Sequence, residues 1–363
     1  MIIGIDATRA NKSHKTGVEW YSYWLIRELI KLDPEITWRL YFNTQPEPGL
    51  QNLGANVEYK ILTWPFKYLW TQIRLSAEML FNPPDILFIP AQIIPVISPP
   101  NTVTTIHDVA YEVFKDDLSW KSRGYLRFAA QLAKRRCCLI FTVSEFSKKE
   151  IIKYYQIPAE KIIVTHLGIT PPVFPSGCVL EKKNYLLYVG RLESKKNIVR
   201  LIEVFNQVTQ TDWGKDLQLY LAGYPSRGWK EAQEKISEFN LQDKVKTFGW
   251  ITEEEKSKLL AEAKVYVHLA KYEGFGFGPL EAMACGTPAV VNNAASLPEI
   301  VGTAAWLVNA NDDKMVLEAI KEFVTNPNTA SDYIQRGQQQ WQRFTWKTAA
   351  EKTLAALKSI SLQ

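Results

Sequence analysis

Two carboxylates, Glu273 and Glu281, stand eight residues apart in the segment KYEGFGFGPLEAMACGTPAVV, residues 271–291. Between them lie three alternating glycines, Gly274, Gly276 and Gly278. An ionised carboxylate only accepts hydrogen bonds, so each one matches the paired hydroxyls of a sugar ring or a ribose. The glycines let a ligand come close to the backbone. Before them, VYVHL at 265–269 reads as a buried strand. Pro279 suits the first position of a helix, where its missing N–H costs nothing. LEAMA continues that helix, and Gly286 and Pro288 close it. This order of strand, glycine loop and helix puts Glu273 in the loop and Glu281 in the first helical turn. The helix N-terminus offers unpaired N–H groups and partial positive charge, which favours phosphate. The glycine spacing is not a dinucleotide fingerprint. Taken alone, a packing turn with one solvated and one capping glutamate accounts for it equally well.

Other residues belong to the same kind of chemistry. In YVGRLESKKN, residues 188–197, a strand ends at Gly190 and a helix begins near residue 196. Arg191 and Lys196 project from the loop between, and two fixed cations at a strand's carboxyl end suit a diphosphate. In TTIHDVAYE, residues 104–112, a strand ends at His107–Asp108. The carboxyl end of a parallel strand is where open α/β sheets bind ligands, which raises His107 above an ordinary structural histidine. His268 lies inside an apolar strand and reads as core, while His166 in VTHLGI has a weaker claim to line a site. Gly17 stands between the first strand and its helix, with Arg9 and Lys15 in the same loop as candidates to meet an acceptor or a phosphate. The chain holds no Asp-x-Asp pair of the kind that grips a divalent ion.

The stretch EGFGFGPLEAMACGTPAV resembles the E-x7-E signature of glycosyltransferase family 4, retaining enzymes that use nucleotide sugars and have the GT-B fold. Gly278 stands where many members carry proline. VGRLESKK resembles the family's second motif, whose Arg and Lys contact the donor's phosphates, here Arg191 and Lys196. His107–Asp108 matches its H-D motif, whose histidine lies by the donor sugar. Carried across in the same way, Gly17 admits backbone to the donor phosphate, and Ile251 in FGWITEEE presents its backbone to the base. Gly274, Phe275, Gly276, Phe277 and Glu281 complete the donor-binding set, and Glu273 holds ring hydroxyls. The resemblance implies transfer of a hexose from UDP-glucose or GDP-mannose, with UDP-glucose favoured, to a saccharide or lipid-linked acceptor in polysaccharide or glycolipid biosynthesis. It implies no metal and no cofactor, since cations and a helix terminus steady the departing diphosphate. Two readings stand beside it: a non-catalytic sugar-nucleotide-binding or membrane-associated subunit of the same fold, and an epimerase or phosphorylase of that fold.

Strands and helices must alternate to hold these loops, and they do. The first half reads as strands near 2–7, 38–43, 57–63, 85–90, 101–106, 139–143 and 161–165, with helices near 17–32, 66–81, 118–136 and 145–155. The second half has strands near 185–190, 217–222, 245–248, 264–269, 288–292 and 304–308. Its helices fall near 196–210, 229–239, 252–262, 279–285, 312–325, 329–343 and 346–360. Such alternation means parallel sheets wrapped by helices. PPVFPSGCVLEKK, 171–183, has three prolines, a glycine and no periodicity, and reads as a linker. The expected fold class is therefore α/β, two Rossmann-like doubly wound domains facing a central cleft. The expected division is an acceptor-side domain at 1–172 and a nucleotide-sugar domain at 173–345. The resemblance implies that the last helix, 346–363, crosses back to the first domain.

Composition excludes several classes. The 363 residues are 46% hydrophobic and 22% charged, a globular balance. Cys137, Cys138, Cys178 and Cys285 have no C-x-x-C spacing and suggest neither a disulfide framework nor a zinc site. The chain opens on a strand with no signal-like segment, so a cytoplasmic protein is expected. Residues 86–107 carry no Asp, Glu, Lys or Arg and imitate a membrane span, but four prolines divide them into strand, loop and strand. The net charge of +5 is modest and no nucleic-acid-binding pattern is present, so nucleic acid is not an expected partner. Aromatic and basic residues mix in TWPFKYLWTQIRL and around Lys121–Arg136. That mixture suits an anionic membrane surface, on the inner face for a cytoplasmic protein. Aromatics turned to the core and charges turned to water would explain it as well.

Overall fold

The computed structural model describes residues 1–66, 68–174 and 181–360, which form two compact units. The first comprises Met1–Gly168 and Phe344–Gln363, the second Ile169–Arg343. Six of the linker residues, 175–180, and Cys178 among them, lie outside the described residues, as does Lys67.

In the first unit the strands are β1 (Ile2–Asp6), β2 (Thr37–Phe42), β3 (Val57–Ile61), β4 (Ile86–Ile89), β5 (Thr102–Thr105), β6 (Cys137–Thr142) and β7 (Ile162–Val164). They form a parallel sheet in the order β3-β2-β1-β4-β5-β6-β7. The helices are α1 (Gly17–Leu32), α2 (Ser76–Phe81), α3 (Ala110–Val113), α4 (Trp120–Arg136) and α5 (Glu145–Tyr155). The second unit has β8 (Lys183–Val189), β9 (Gln218–Ala222), β10 (Val245–Phe248), β11 (Ala263–His268), β12 (Ala289–Asn292) and β13 (Trp306–Val308), ordered β10-β9-β8-β11-β12-β13 and again parallel. Its helices are α6 (Ile198–Thr209), α7 (Trp229–Glu238), α8 (Glu253–Glu262), α9 (Phe277–Ala284), α10 (Leu297–Val301), α11 (Asp313–Thr325) and α12 (Pro327–Trp341). The last helix, α13 (Trp346–Ile360), belongs to the first unit, where Lys358 pairs with Asp33 at the end of α1.

Burial explains why these segments take these forms. The charge-free stretch at 86–107 becomes β4 and β5, central strands whose residues are all buried. Both faces of such strands are covered by helices, so the sequence shows an unbroken apolar run. In α1 the buried Tyr21, Leu25, Ile26, Leu29 and Ile30 form one stripe at helical spacing.

Several expectations need correction. The helix expected over 66–81 starts only at Trp70, as a π-helical turn to Leu75, and becomes α-helical at Ser76. Leu69 before it has φ of 68°, a left-handed backbone that helix cannot include. α3 and α10 were not foreseen, because four or five residues carry too little periodicity. α9 begins at Phe277, so Pro279 is its third residue rather than its first, and Glu281 falls in the second turn. The missing N–H of proline is still among the first four, which have no intrahelical partner, so the position costs nothing. The helix starts early because Gly276 caps it with φ of 110°, a backbone that favours glycine. At its other end the N–H of Thr287 bonds to Ala282 and that of Gly286 to Met283, a Schellman closure.

Candidate active site

In each sheet the chain reverses its direction of strand addition once, between β1 and β4 and between β8 and β11. Loops diverge at the carboxyl side of such a point and leave a crevice, the usual binding place in this architecture. Most of the sequence-derived residues lie at one point or the other, whereas Ile251 follows the edge strand β10.

In the second unit, the loop after β8 carries Arg191 and Lys196, and the loop after β11 carries Glu273. The two loops are fastened to each other. Lys271 N donates to Lys195 O at 2.8 Å, and Asn197 Nδ2 to Leu269 O at 3.1 Å. From the next loop, Ser296 Oγ reaches the carbonyls of Glu273 at 2.9 Å and Phe275 at 2.8 Å. Braced in this way, Lys196 Nζ meets Glu273 Oε1 at 2.5 Å, and His268 Nε2 meets the same oxygen at 3.0 Å. Burial pushes the Glu273 carboxyl up, but the charge of Lys196 and the hydrogen bond from His268 outweigh it. The net shift is well below the usual carboxylate range. Glu273 is therefore a fixed anion whose Oε1 takes both contacts.

Arg191 lies in the same loop as Lys196. Its side chain is 61% exposed and its guanidinium lies 3.4 Å from Glu193. Glu281 is also paired, through Lys256 Nζ at 2.7 Å, and Lys256 lies equally close to Glu253. Burial works against the charged Lys256, yet the two carboxylates hold its ammonium above the ordinary lysine value. Gly274, Phe275 and Gly276 are buried in the loop, with the Phe275 ring edge-on to Phe277 at 5.5 Å. Ile251 is partly buried, immediately before the Thr252 cap of α8.

Sequence reasoning placed His268 in the core. The residue is buried, as expected, yet both ring nitrogens make polar contacts, Nε2 with Glu273 and Nδ1 with Tyr266 Oη at 3.1 Å. The strand-end argument that singled out His107 applies to His268 too, since it is the last residue of β11. Lys256 had no such signal. It is brought to Glu281 by the packing of α8 and α9.

In the first unit a cavity of about 300 Å³ opens at the switch point, lined in part by Asp6, Arg9, Glu19, Gln92, His107 and Asp108. His107 Nε2 donates to Pro90 O at 3.1 Å, and the Tyr21 ring stands perpendicular to the imidazole at 4.7 Å between centroids. A carbonyl only accepts, so Nε2 holds the proton and Nδ1 is left as an acceptor. Burial pushes the imidazole below its ordinary value of 6.5, which favours that neutral form. Gly17 is the first residue of α1, within the capping box that Thr16 and Glu19 form, and Arg9 lies 3.3 Å from Glu19. His166 lies apart from the residues lining this cavity, with its ring 5.7 Å from that of Phe344.

Comparison with known proteins agrees with this geometry. Residues 15–171 match the model described as Glycosyltransferase Family 4, and residues 176–340 the model described as Glycosyl transferases group 1. The O-antigen chain mannosyltransferase B of Escherichia coli is 30% identical over 270 residues, covering 71% of this chain and 70% of that protein. The O-antigen chain mannosyltransferase RfbU of Salmonella typhimurium is 27% identical over 341 residues, 91% of this chain and 93% of that one. Among solved structures, sucrose-phosphate synthase of Thermosynechococcus elongatus superposes with a TM-score of 0.75 at 17% identity, covering 100% and 99% of the two chains. HepE of Anabaena does so with 0.73 at 20% identity, covering 99% of each. The chain belongs to glycosyltransferase family 4. It is a glycosyltransferase, and its two parallel-sheet units are those of the GT-B fold.

Proposed function

We propose that this enzyme moves a mannosyl group, with retention of configuration, from a nucleoside diphosphate to a saccharide or lipid-linked acceptor in polysaccharide synthesis. The observation that carries the reading is the Lys196–Glu273 pair, set by braced loops at a switch point beside the N-terminus of α9. The relatives from E. coli and S. typhimurium are named as mannosyltransferases, which favours GDP-mannose over the UDP-glucose preferred from sequence. HepE was solved in complex with UDP and glucose, and UDP-glucose is thus the competitor in the test.

In the proposed reaction Lys196, Arg191 and the amides opening α9 receive the charge that builds on the departing diphosphate. Only stabilisation that grows toward the transition state speeds the step. Glu273 holds ring hydroxyls and offsets positive charge at the anomeric carbon, Glu281 holds the ribose, and His107 accepts a hydrogen bond from a sugar hydroxyl. The acceptor oxygen bonds to the anomeric carbon as the carbon–phosphate-oxygen bond breaks, and the acceptor's proton passes to the departing phosphate oxygen. No metal is assigned to this step, so turnover should survive chelation by EDTA, and strict dependence on magnesium or manganese would overturn the assignment.

A lipid-linked acceptor at an anionic membrane is supported by the surface of the first unit. Phe66, Tyr68, Leu69, Ile73, Leu80 and Phe81 are all exposed, Phe81 by 76%. Trp120, 79% exposed, opens α4, a helix with six Lys or Arg residues and no acid. Gln72 ties the two together, bonding Ile94 O at 3.1 Å and Tyr125 Oη at 3.2 Å. Exposed apolar side chains next to a basic helix fit the interface of an anionic bilayer, although Arg123 and Arg127 of that helix are paired with Glu112.

The deciding experiment is a panel of sugar nucleotides read by thermal shift and then by nucleotide release with and without acceptors, since only a ligand of the native state raises the midpoint. A rise with GDP-mannose and acceptor-dependent release of GDP is expected. No rise with any sugar nucleotide would end the reading.

A further inference from the structure

Behind Glu273 lies a set of contacts that the donor-binding residues do not explain. His268 Nε2 is 3.0 Å from Glu273 Oε1, and Nδ1 is 3.1 Å from the hydroxyl of Tyr266. A carboxylate only accepts, so Nε2 carries the proton of the first contact. Tyr266 Oη also lies 3.3 Å from Val189 O, at the end of β8, the strand that leads into the Lys196 loop. Tyr266 and His268 are both buried, and Tyr188 stacks against the imidazole at 5.5 Å. The ring therefore has no other place to go.

The position of Gly278 follows from the same set. A Cβ at this residue would stand 2.1 Å from Tyr266 Oη and 3.1 Å from Tyr266 Cζ. Gly278 has no left-handed backbone, so the need for glycine here is space for one oxygen. Any side chain at residue 278 must displace the tyrosine hydroxyl that closes the far side of His268.

We infer that Gly278, Tyr266 and His268 act as one positioning unit that holds the Glu273 carboxylate from behind, sharing that task with Lys196. The inference rests on the proposed role of Glu273 against the transferred sugar. A carboxylate whose one oxygen is held by both a cation and a buried imidazole keeps that oxygen fixed and aims the other. A small displacement of a positioned group costs catalysis far more than it costs fold.

The test is a set of variants assayed for kcat and donor KM, with thermal midpoints measured beside them. His268→Leu should lower kcat by about 10-fold with little change in donor KM. His268→Gln, which keeps an N–H donor, should recover part of that loss. Tyr266→Phe conserves volume and should lower kcat by a smaller factor. Gly278→Ala should lower kcat in the wild-type background and less in the Tyr266→Phe background, because the oxygen it strikes is gone. This non-additivity is the signature of the unit. Additive effects of Gly278→Ala and Tyr266→Phe, or a His268→Leu enzyme within twofold of wild type while Glu273→Ala is inactive, would overturn the inference and leave the site reading intact. An active Glu273→Ala enzyme would instead remove the site reading first.

Discussion

The two units meet chemistry at the same topological point with different means. In the second, opposite charges are pressed together, Lys196 on Glu273 and Lys256 on Glu281. In the first, the central group is a neutral imidazole fastened to a backbone carbonyl, and the unusual feature is apolar surface left in solvent. Buried ion pairs are a poor route to stability, since desolvation consumes most of the attraction. On the proposed reading, their presence around a glycine loop keeps charge in readiness for a diphosphate. A neutral acceptor nitrogen suits a hydroxyl. On the proposed reading the labour divides: one unit handles the leaving group, the other a sugar and a surface.

The largest expected effect tests the charged half. Glu273→Ala and Lys196→Ala should each reduce transfer by at least about 100-fold, roughly 2.7 kcal/mol of barrier, in initial-rate assays with the fold intact by circular dichroism. His107→Ala is expected to cost as much, so the neutral half would prove equal in weight. A loss under about tenfold for His107→Ala would leave catalysis to the second unit alone.

Next in size, Glu281→Gln should raise donor KM by about tenfold with kcat nearly unchanged, because a ribose contact contributes equally to ground and transition states. A fall in kcat of that size at constant KM would move Glu281 from binding to chemistry.

The surface contrast can be broken by sedimentation with vesicles. Wild-type protein should sediment with phosphatidylglycerol-containing vesicles more than with phosphatidylcholine alone. Phe81→Ser with Trp120→Ser should weaken that binding by about fivefold, as two exposed aromatic anchors are removed. The same change at Tyr224 and Trp250, exposed aromatics of the second unit, should leave it unaltered. Equal sedimentation with both lipids would remove the membrane from the account.

Acid should separate the halves by the smallest effect. The folded value of His107 is lowered from 6.5, so its contribution to stability is full above that pH and drains away as pH falls toward the folded value. Glu273 is lowered from 4.5, and its contribution is lost only as pH falls below that. The thermal midpoint of His107→Gln should therefore be flatter than wild type just below pH 6.5, and that of Glu273→Gln flatter only below about pH 4.5.

Much of this was legible from residue types alone. The alternation of strands and helices follows from periodicity, a property of neighbours along the chain. The charge-free stretch at 86–107 was rightly divided by its prolines into what became β4 and β5. Loop chemistry at strand ends singled out Arg191, Lys196, Glu273 and His107, because glycine, charge and helix starts leave local marks. The same reasoning put Pro279 two positions too early, since nothing local reveals that Gly276 takes a left-handed backbone.

What the chain could not disclose by itself is which side chains meet. Lys196 and Glu273 are 77 residues apart and touch because β8 and β11 are neighbours in the sheet, an order set by how helices cover both of its faces. Tyr266 and Gly278 belong to different elements, and only packing shows that one leaves room for the other. The aromatics of residues 66–81 could have faced core or solvent; a π-helical turn and a left-handed Leu69 decided that several face out. Composition and spacing decide what each segment can become. Strand order and packing decide which of those segments share a site, because contacts between distant residues depend on the whole sheet.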